Sequence, residues 1–221
     1  MRPITKIENK NVFSSWSGGK DSALALYLAA QEGYVPRFLV TMMTEDGKRT
    51  RAHGLPLSII QAQASSLQIS LITRKTTWED YEKTFLSVLH GFKEGDIAAG
   101  VFGDIDIDAH KEWTERLCAS ISIESYEPLW KKPRIFLLET LIGLGFKATI
   151  VSLKSRVMDK SFLGKTLDRN LIKEISKTGI DPSGENGEYH TVVTDGPLFS
   201  HPIKFDLNKP ILKNGYWVLT S

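Results

Sequence analysis

Short apolar runs alternate with helix-like stretches up to residue 121, and this rhythm narrows the fold more than any other feature. "NVFSSW" (11–16), "RFLVTMM" (37–43), "ISLITR" (69–74) and "IAAGVF" (97–102) are nearly continuous apolar runs. That is the pattern of strands buried on both faces. Between them, "SALALYLAAQEG" (22–33) reads as a helix ended by Gly33, and "PLSIIQAQASSL" (56–67) opens on a proline suited to a first helical turn. "TWEDYEKTFLSVLHGFKEG" (77–95) has a Thr start, early acids and a Gly stop, and "DAHKEWTERLCASI" (108–121) is amphipathic. Strands and helices alternating at this spacing predict parallel β-α-β units: an α/β sheet with helices on both faces.

After about residue 127 the rhythm changes. "PLWKKPR" (128–134) holds two prolines and three basic residues, the composition of a hinge. It divides the chain into residues 1–127, carrying the parallel sheet, and a smaller α+β unit over 128–221. The second unit is expected to contain a helix at 135–144, a strand "KATIVSL" (147–153), a helix near 168–178 and short β segments in "FSHPIKFDLNKPILKNGYWVLTS" (199–221).

Composition excludes several classes. Twenty-eight basic against 26 acidic residues give +2, which is no strong field for nucleic acid or an anionic membrane. The longest apolar stretch, "IFLLETLIGLGF", is too short to span a bilayer, and "MRPITKIENK" lacks the apolar core of a signal peptide. One cysteine, Cys118, permits neither an internal disulfide nor a cysteine-rich metal site. A cytoplasmic location is the expectation.

The loop "SGGKDS" (17–22) joins the first strand to the first helix, at the sheet edge where such folds bind ligands. Gly18 and Gly19 let backbone N–H groups turn inward, and the helix that follows adds its positive end. Ser17 and Ser22 offer hydroxyls and Lys20 a charge, so the loop describes a cradle for phosphate. It is not a Walker loop, which needs four residues between its first glycine and a Gly-Lys pair. A second polar tract, "GENGEYHTVVTDGP" (184–197), holds Glu185, Glu188, His190 and Asp195. These groups suit metal binding, proton transfer or substrate orientation. They equally suit a solvated turn with Asp195-Gly196 at the tip of a hairpin. Asp104 and His53 follow the fourth and second strand runs and so belong at the same carboxyl edge. His90, His110 and His201 have no such placement and are expected to be structural or surface residues. Trp16, Trp78, Trp113 and Trp130 are expected to pack.

Ser17 to Ser22 match the Ser-Gly-Gly-x-Asp-Ser signature of the PP-loop ATP pyrophosphatases. Nearly the whole chain resembles one branch of them, the diphthine–ammonia ligase family of adenine nucleotide α-hydrolase-like proteins. The resemblance rests on "SGGKDS", "HGLPLSIIQAQASSLQISL" (53–71), "FGDIDIDAHKEW" (102–113), "EPLW" (127–130), "GFKATIVSL" (145–153), "FLGKTLD" (162–168) and "GIDPSGENGEYHTVV" (179–193). It implies a Rossmann-like nucleotide-binding sheet. It also implies ATP contacts from Ser17, Gly18, Gly19, Lys20, Asp21 and Ser22, and active-site positions for His53, Gly103, Asp104, Glu185, Gly187, Glu188, Tyr189 and His190.

The activity implied is amidation of a carboxylate. The carboxylate attacks the α-phosphorus of ATP, pyrophosphate leaves, and ammonia displaces AMP from the acyl adenylate. Mg²⁺ is expected to bridge the phosphates, with Asp21 or Asp104 as its protein ligands. Lys20 is expected to stabilise the departing pyrophosphate, and Glu185 or Glu188 to take a proton from ammonium. The implied acceptor is diphthine on a translation elongation factor. The chain is too short for an added glutaminase domain, so the ammonia is expected to be free or supplied by a partner. Two other readings stand beside this one: a PP-loop enzyme that modifies tRNA, which the near-neutral charge disfavours, and an ATP-binding module without turnover. The tract at 184–190 reaches the loop either within one chain or across a homodimer.

Overall fold

The structure is a computed structural model and describes residues 10–93, 95–205 and 209–219. Most of the N-terminal stretch "MRPITKIENK", residue 94 of the expected third helix, and residues 206–208 and 220–221 of the expected β-rich tail lie outside the described residues. The first part follows the anticipated rhythm: β1 (Asn11–Ser15), α1 (Lys20–Gln31), β2 (Val35–Met43), α2 (Leu57–Leu67), β3 (Ser70–Lys75), α3 (Tyr81–Leu89), β4 (Ala99–Val101), α4 (Asp108–Ala119) and β5 (Glu124–Tyr126). The five strands form one parallel sheet in the order β3-β2-β1-β4-β5. The order reverses at β1, so the loops after β1 and β4 diverge to opposite sides and leave a crevice between them.

Alternation along the strands feeds two apolar layers. Val12, Leu39, Ala99 and Val101 face α1 and α2, where they meet Leu24, Leu26, Ile60 and Ala64. Phe13, Val40 and Phe102 face α3 and α4, where they meet Phe85, Val88, Leu117 and Cys118. Phe13 is the hub of the second layer, with ring centroids of Phe85, Phe92 and Phe102 at 6.1, 5.6 and 5.7 Å.

The second part contains α5 (Arg134–Gly143), β6 (Lys147–Lys154), a 3-10 turn (Lys160–Phe162), α6 (Arg169–Lys177), β7 (Tyr189–Asp195), β8 (Pro210–Lys213) and β9 (Tyr216–Leu219). Its sheet is antiparallel, ordered β7-β6-β9-β8. The first apolar layer continues through it, taking in Leu137, Leu141, Ile150, Ile175, Val192 and Val193. The segment at 128–134 is anchored, since Leu129 is fully buried and the Lys131 N–H donates to the Ile105 carbonyl at 2.6 Å.

Several local expectations are corrected. The helix expected over 77–95 shrinks to α3, because the Thr77 hydroxyl accepts the Asp80 N–H at 2.9 Å and makes a turn ahead of the helix. The strand β5 and the 3-10 turn were not anticipated. Asp195-Gly196 is no hairpin tip; Asp195 ends β7, which pairs with β6, and the chain runs on through 196–209 before β8. Trp78 does not pack inside. It is 65% exposed, with its ring stacked on Tyr81 at 5.5 Å and the Arg51 guanidinium 5.6 Å away.

One buried side chain braces the two sheets. Gln63 donates to the Gly18 carbonyl at 2.9 Å and the Val193 carbonyl at 2.8 Å, and accepts the Trp16 indole N–H at 2.9 Å. Gln63→Leu keeps the shape but strands the indole N–H and the Val193 carbonyl, each worth about 1–3 kcal/mol when buried unpaired. Urea unfolding of this variant is expected to show a loss of about 2–4 kcal/mol with an unchanged slope.

Candidate active site

The carboxyl ends of β1 and β4 open onto a cavity of about 320 Å³. Ser15, Ser17, Lys20, Asp21 and Ser22 line one side, and His53 comes from the loop after β2. Gly103, Asp104, Ile105 and Ile107 follow β4, with His110 from α4 above them. The far wall is Glu185, Gly187, Tyr189, His190 and Thr191, so the opening loop and the second polar tract meet within one chain.

Two glycines are required by close approach. A β-carbon on Gly19 would stand 2.2 Å from His53 Cε1, and one on Gly103 would stand 2.9 Å from the Asp21 carbonyl carbon. Gly18 gives its carbonyl to the Val193 N–H at 2.9 Å, and the Thr191 hydroxyl accepts the Lys20 N–H at 3.1 Å. The loop is thus braced by β7 from behind. The Asp21 and Ser22 N–H groups open α1, where no intrahelical carbonyl reaches them, and their partial positive charge adds to that of Lys20.

Lys20 is 7% exposed. Its ammonium donates to Asp21 Oδ2 at 2.7 Å and to Glu185 Oε1 at 3.0 Å. Burial works against its charge, but Asp21 and Glu185 outweigh burial and the pKa rises above the ordinary lysine value. Glu185 moves the other way from a normal carboxylate. Burial and the nearby Asp21 push it up to about 7, against the pull of Lys20. His53 and His190 lie face to face with ring centroids 4.7 Å apart. Burial lowers His53 to about 4, and burial with the neighbouring His53 and Lys20 lowers His190 to about 3. Both rings are therefore neutral near pH 7, and His53 Nδ1–H donates to the Thr191 carbonyl at 3.1 Å.

Other expected site residues fall differently. Glu188 is buried, and its carboxylate accepts the Asn186 backbone N–H at 2.9 Å and side-chain amide at 3.1 Å; it does not line the cavity. His110, expected to be a structural or surface residue, is exposed, and it also lines the cavity mouth with Nδ1 donating to Asp104 Oδ1 at 3.0 Å. That bond raises the His110 pKa. Gln63, Thr191 and Ile107 were not anticipated. Gln63 did leave a signal, as a polar side chain that, with Ser66, interrupts the buried face Ile59, Ile60, Ala64, Leu67.

The Glu185 shift has a stability consequence whose sign is fixed. With a folded pKa of about 7 against the ordinary 4.5, the folded chain holds the extra proton between these values. Glu185 therefore subtracts stability as pH rises through that window. The stability of Glu185→Gln relative to the parent is expected to improve by on the order of 1–3 kcal/mol from pH 4.5 to pH 7. Urea unfolding at stepped pH checks this; a difference that is flat with pH would contradict the shift.

Comparison with known proteins identifies the family. Residues 10–125 match the family model described as diphthamide synthase N-terminal domain, and residues 133–220 match diphthamide synthase C-terminal domain. Three relatives are named diphthine–ammonia ligase. The Danio rerio protein is 27% identical over 165 residues, covering 73% of this chain and 65% of its own length. The Schizosaccharomyces pombe protein is 27% identical over 211 residues, covering 85% of this chain but 34% of its own length. The Rattus norvegicus protein is 25% identical over 222 residues, covering 89% and 83%. The chain thus spans less than two thirds of the first two relatives. With its two family-model matches lying either side of the 126–132 link, this chain belongs to the diphthamide synthase family.

Proposed function

We propose that this chain is an AMP-forming ligase that activates a carboxylate with ATP and amidates it with ammonia, the acceptor being diphthine on a translation elongation factor. The observation that carries it is the Lys20 ammonium, held at the mouth of the phosphate loop by a carboxylate from each half of the chain. In this reading residues 1–127 hold the nucleotide and residues 128–221 present the acceptor. A small chamber of about 100 Å³ shares Ser15, Ser17 and Ala52 with the main cavity, and is walled by Trp16, Val40, Met42 and Tyr81. Its mixed walls, which also include Thr41 and Thr50, suit a flat base with polar edges, which leaves the phosphates along Ser17–Ser22.

An ammonium has three donors, and two are taken by Asp21 and Glu185. The third, with the first N–H groups of α1, is available to the pyrophosphate as negative charge develops on it. The acceptor oxygen bonds to the α-phosphorus as the bond to the β-phosphate bridge breaks. Ammonia then attacks the acyl carbon, the bond to the AMP oxygen breaks, and AMP leaves. A carboxyl near pH 7 in pKa is suited to take the proton that ammonium must lose, and Glu185 is the group in the cavity with that property. Glu188 shapes the turn that presents it.

Mg²⁺ fits the donor set only in partnership with the nucleotide. Among the described residues no group of three His, Cys, Asp or Glu side chains could hold a metal alone. The bonds from Lys20 and His110 occupy one oxygen each of Asp21 and Asp104, leaving the other oxygen of each carboxylate for a cation otherwise liganded by phosphate and water. When bound, Mg²⁺ would neutralise phosphate charge.

The test supplies ATP, Mg²⁺, ¹⁵N-ammonium and candidate carboxylates, including diphthine-bearing elongation factor, and follows AMP and incorporated label. AMP with amide is the expected result. ADP would overturn the chemistry, AMP without incorporated label would reject the ligase, and nucleotide binding without turnover would leave a binding module. Lys20→Met is expected to slow AMP formation about 10²–10³-fold. Glu185→Gln is expected to slow amide formation about 10²-fold while AMP formation changes less, and Glu188→Gln is expected to affect both steps alike.

A further inference from the structure

Arg134 stands in the basic segment that the sequence suggested as a hinge, yet its guanidinium is turned inward. Nε donates to Asp106 Oδ2 at 2.7 Å and Nη2 to Asp106 Oδ1 at 2.8 Å, a two-pronged grip on one carboxylate. Nη1 donates to Asp181 Oδ2. Asp106 belongs to the loop after β4 that supplies Asp104, Ile105 and Ile107 to the cavity. Asp181 organises the opposite wall: Oδ1 accepts the Ser183 N–H at 3.0 Å, and Oδ2 accepts the Ser183 hydroxyl at 2.7 Å and the Glu185 N–H at 3.3 Å. Glu185 then reaches Lys20 at 3.0 Å. Behind the cavity, a narrow gap of about 10 Å³ is bounded jointly by Arg134, Lys20, Asp21 and Ser183. One side chain therefore bonds to both walls and lines, with Lys20, the gap between them.

We propose that Arg134 is a positioning residue: through Asp106 and Asp181 it fixes the separation of the two cavity walls and so sets the Lys20–Glu185 contact on which the proposed ligase reaction relies. The planar fork matters as much as the charge. Lysine is a single point charge and cannot hold Asp106 with two parallel bonds while also reaching Asp181. The triad is partly shielded and joined by three charge-assisted bonds, whereas the Arg116–Glu82 pair has one such bond and is exposed to solvent. The carboxylates also respond. The hydrogen bond from Arg134 is the leading cause that holds Asp106 below the usual range. Asp181 is likewise lowered, with burial opposing and the bonds from Ser183 and Arg134 prevailing.

The experiment compares Arg134→Gln, Arg134→Lys, Asp181→Asn and Arg134→Gln/Asp181→Asn, with Arg116→Gln as control. Three quantities are read: kcat and KM for ATP in AMP formation, thermal midpoint, and the rate at which Lys20 is acylated by an amine-reactive reagent, resolved by mass spectrometry. Misplacement of a catalytic group by about 1 Å costs about 10²-fold in rate. Both Arg134 variants are therefore expected to lose about 10–100-fold in kcat with KM changed less than about threefold, and lysine is expected not to rescue. Lys20 acylation is expected to rise at least about fivefold as its carboxylate cover loosens, and the double variant to be no slower than the worse single one. The control is expected to match the parent. Unchanged kcat and acylation in a folded Arg134→Gln, full rescue by lysine, or additive losses in the double variant would overturn the proposal. The acylation readout needs no turnover. A parent protein that forms no AMP would sink the ligase reading while leaving the positioning role to stand or fall on acylation alone.

Discussion

The charge of a lysine that is 7% exposed is tolerable only with compensating charge at hydrogen-bond distance, and much of the site can be derived from that requirement at Lys20. Asp21 follows it in sequence and supplies one carboxylate without further architecture. The other, Glu185, lies 165 residues away and is brought by the second sheet. Placing it demands that β7 run behind the phosphate loop, that Thr191 and Val193 bond to the loop backbone, and that no side chain stand at Gly19 between the loop and His53. The charge requirement and the packing requirement are met by the same short segment.

The cavity also separates like functions by environment. Glu185 and the two histidines titrate away from their usual values chiefly through burial, reinforced by neighbouring charges, yet with opposite chemical results. Burial leaves the carboxyl half-willing to hold a proton near neutrality and leaves the imidazoles without one. The wall next to the 17–22 loop thus carries one fixed positive group and two neutral rings. Positive charge from a further histidine would be close to Lys20 and is excluded by the same desolvation that keeps Lys20 dependent on its carboxylates.

Much of this was legible in the chain because the relevant residues are contiguous or lie at strand ends. "SGGKDS" needs only the strand before it and the helix after it to be placed, and Asp104 and His53 follow apolar runs. Local signals were less reliable where a few hydrogen bonds decide the outcome. Thr77 looks like a helix start but commits its hydroxyl to a turn before α3. The three residues of β5 are too few to carry a pattern and are held as an edge by pairing with β4. Glu185 and Glu188 are indistinguishable as letters. Asn186 captures the second and leaves the first to face the cavity, a choice made by the turn geometry between them. Gln63 and Arg134 act across distances of sequence that periodicity does not see.

The bonds from β7 to the phosphate loop tie two regions that sequence separates widely. The Val193 N–H is held by the Gly18 carbonyl, and the Thr191 hydroxyl by the Lys20 N–H. A local opening that frees β7 from this contact also releases the backbone that would cradle phosphate, so the two belong to one cooperative unit. An anion that bound only the braced loop would strengthen the β7 contact, and the contact would strengthen that binding by the same factor. In this chain, order in the C-terminal sheet and order in the N-terminal loop are thermodynamically linked.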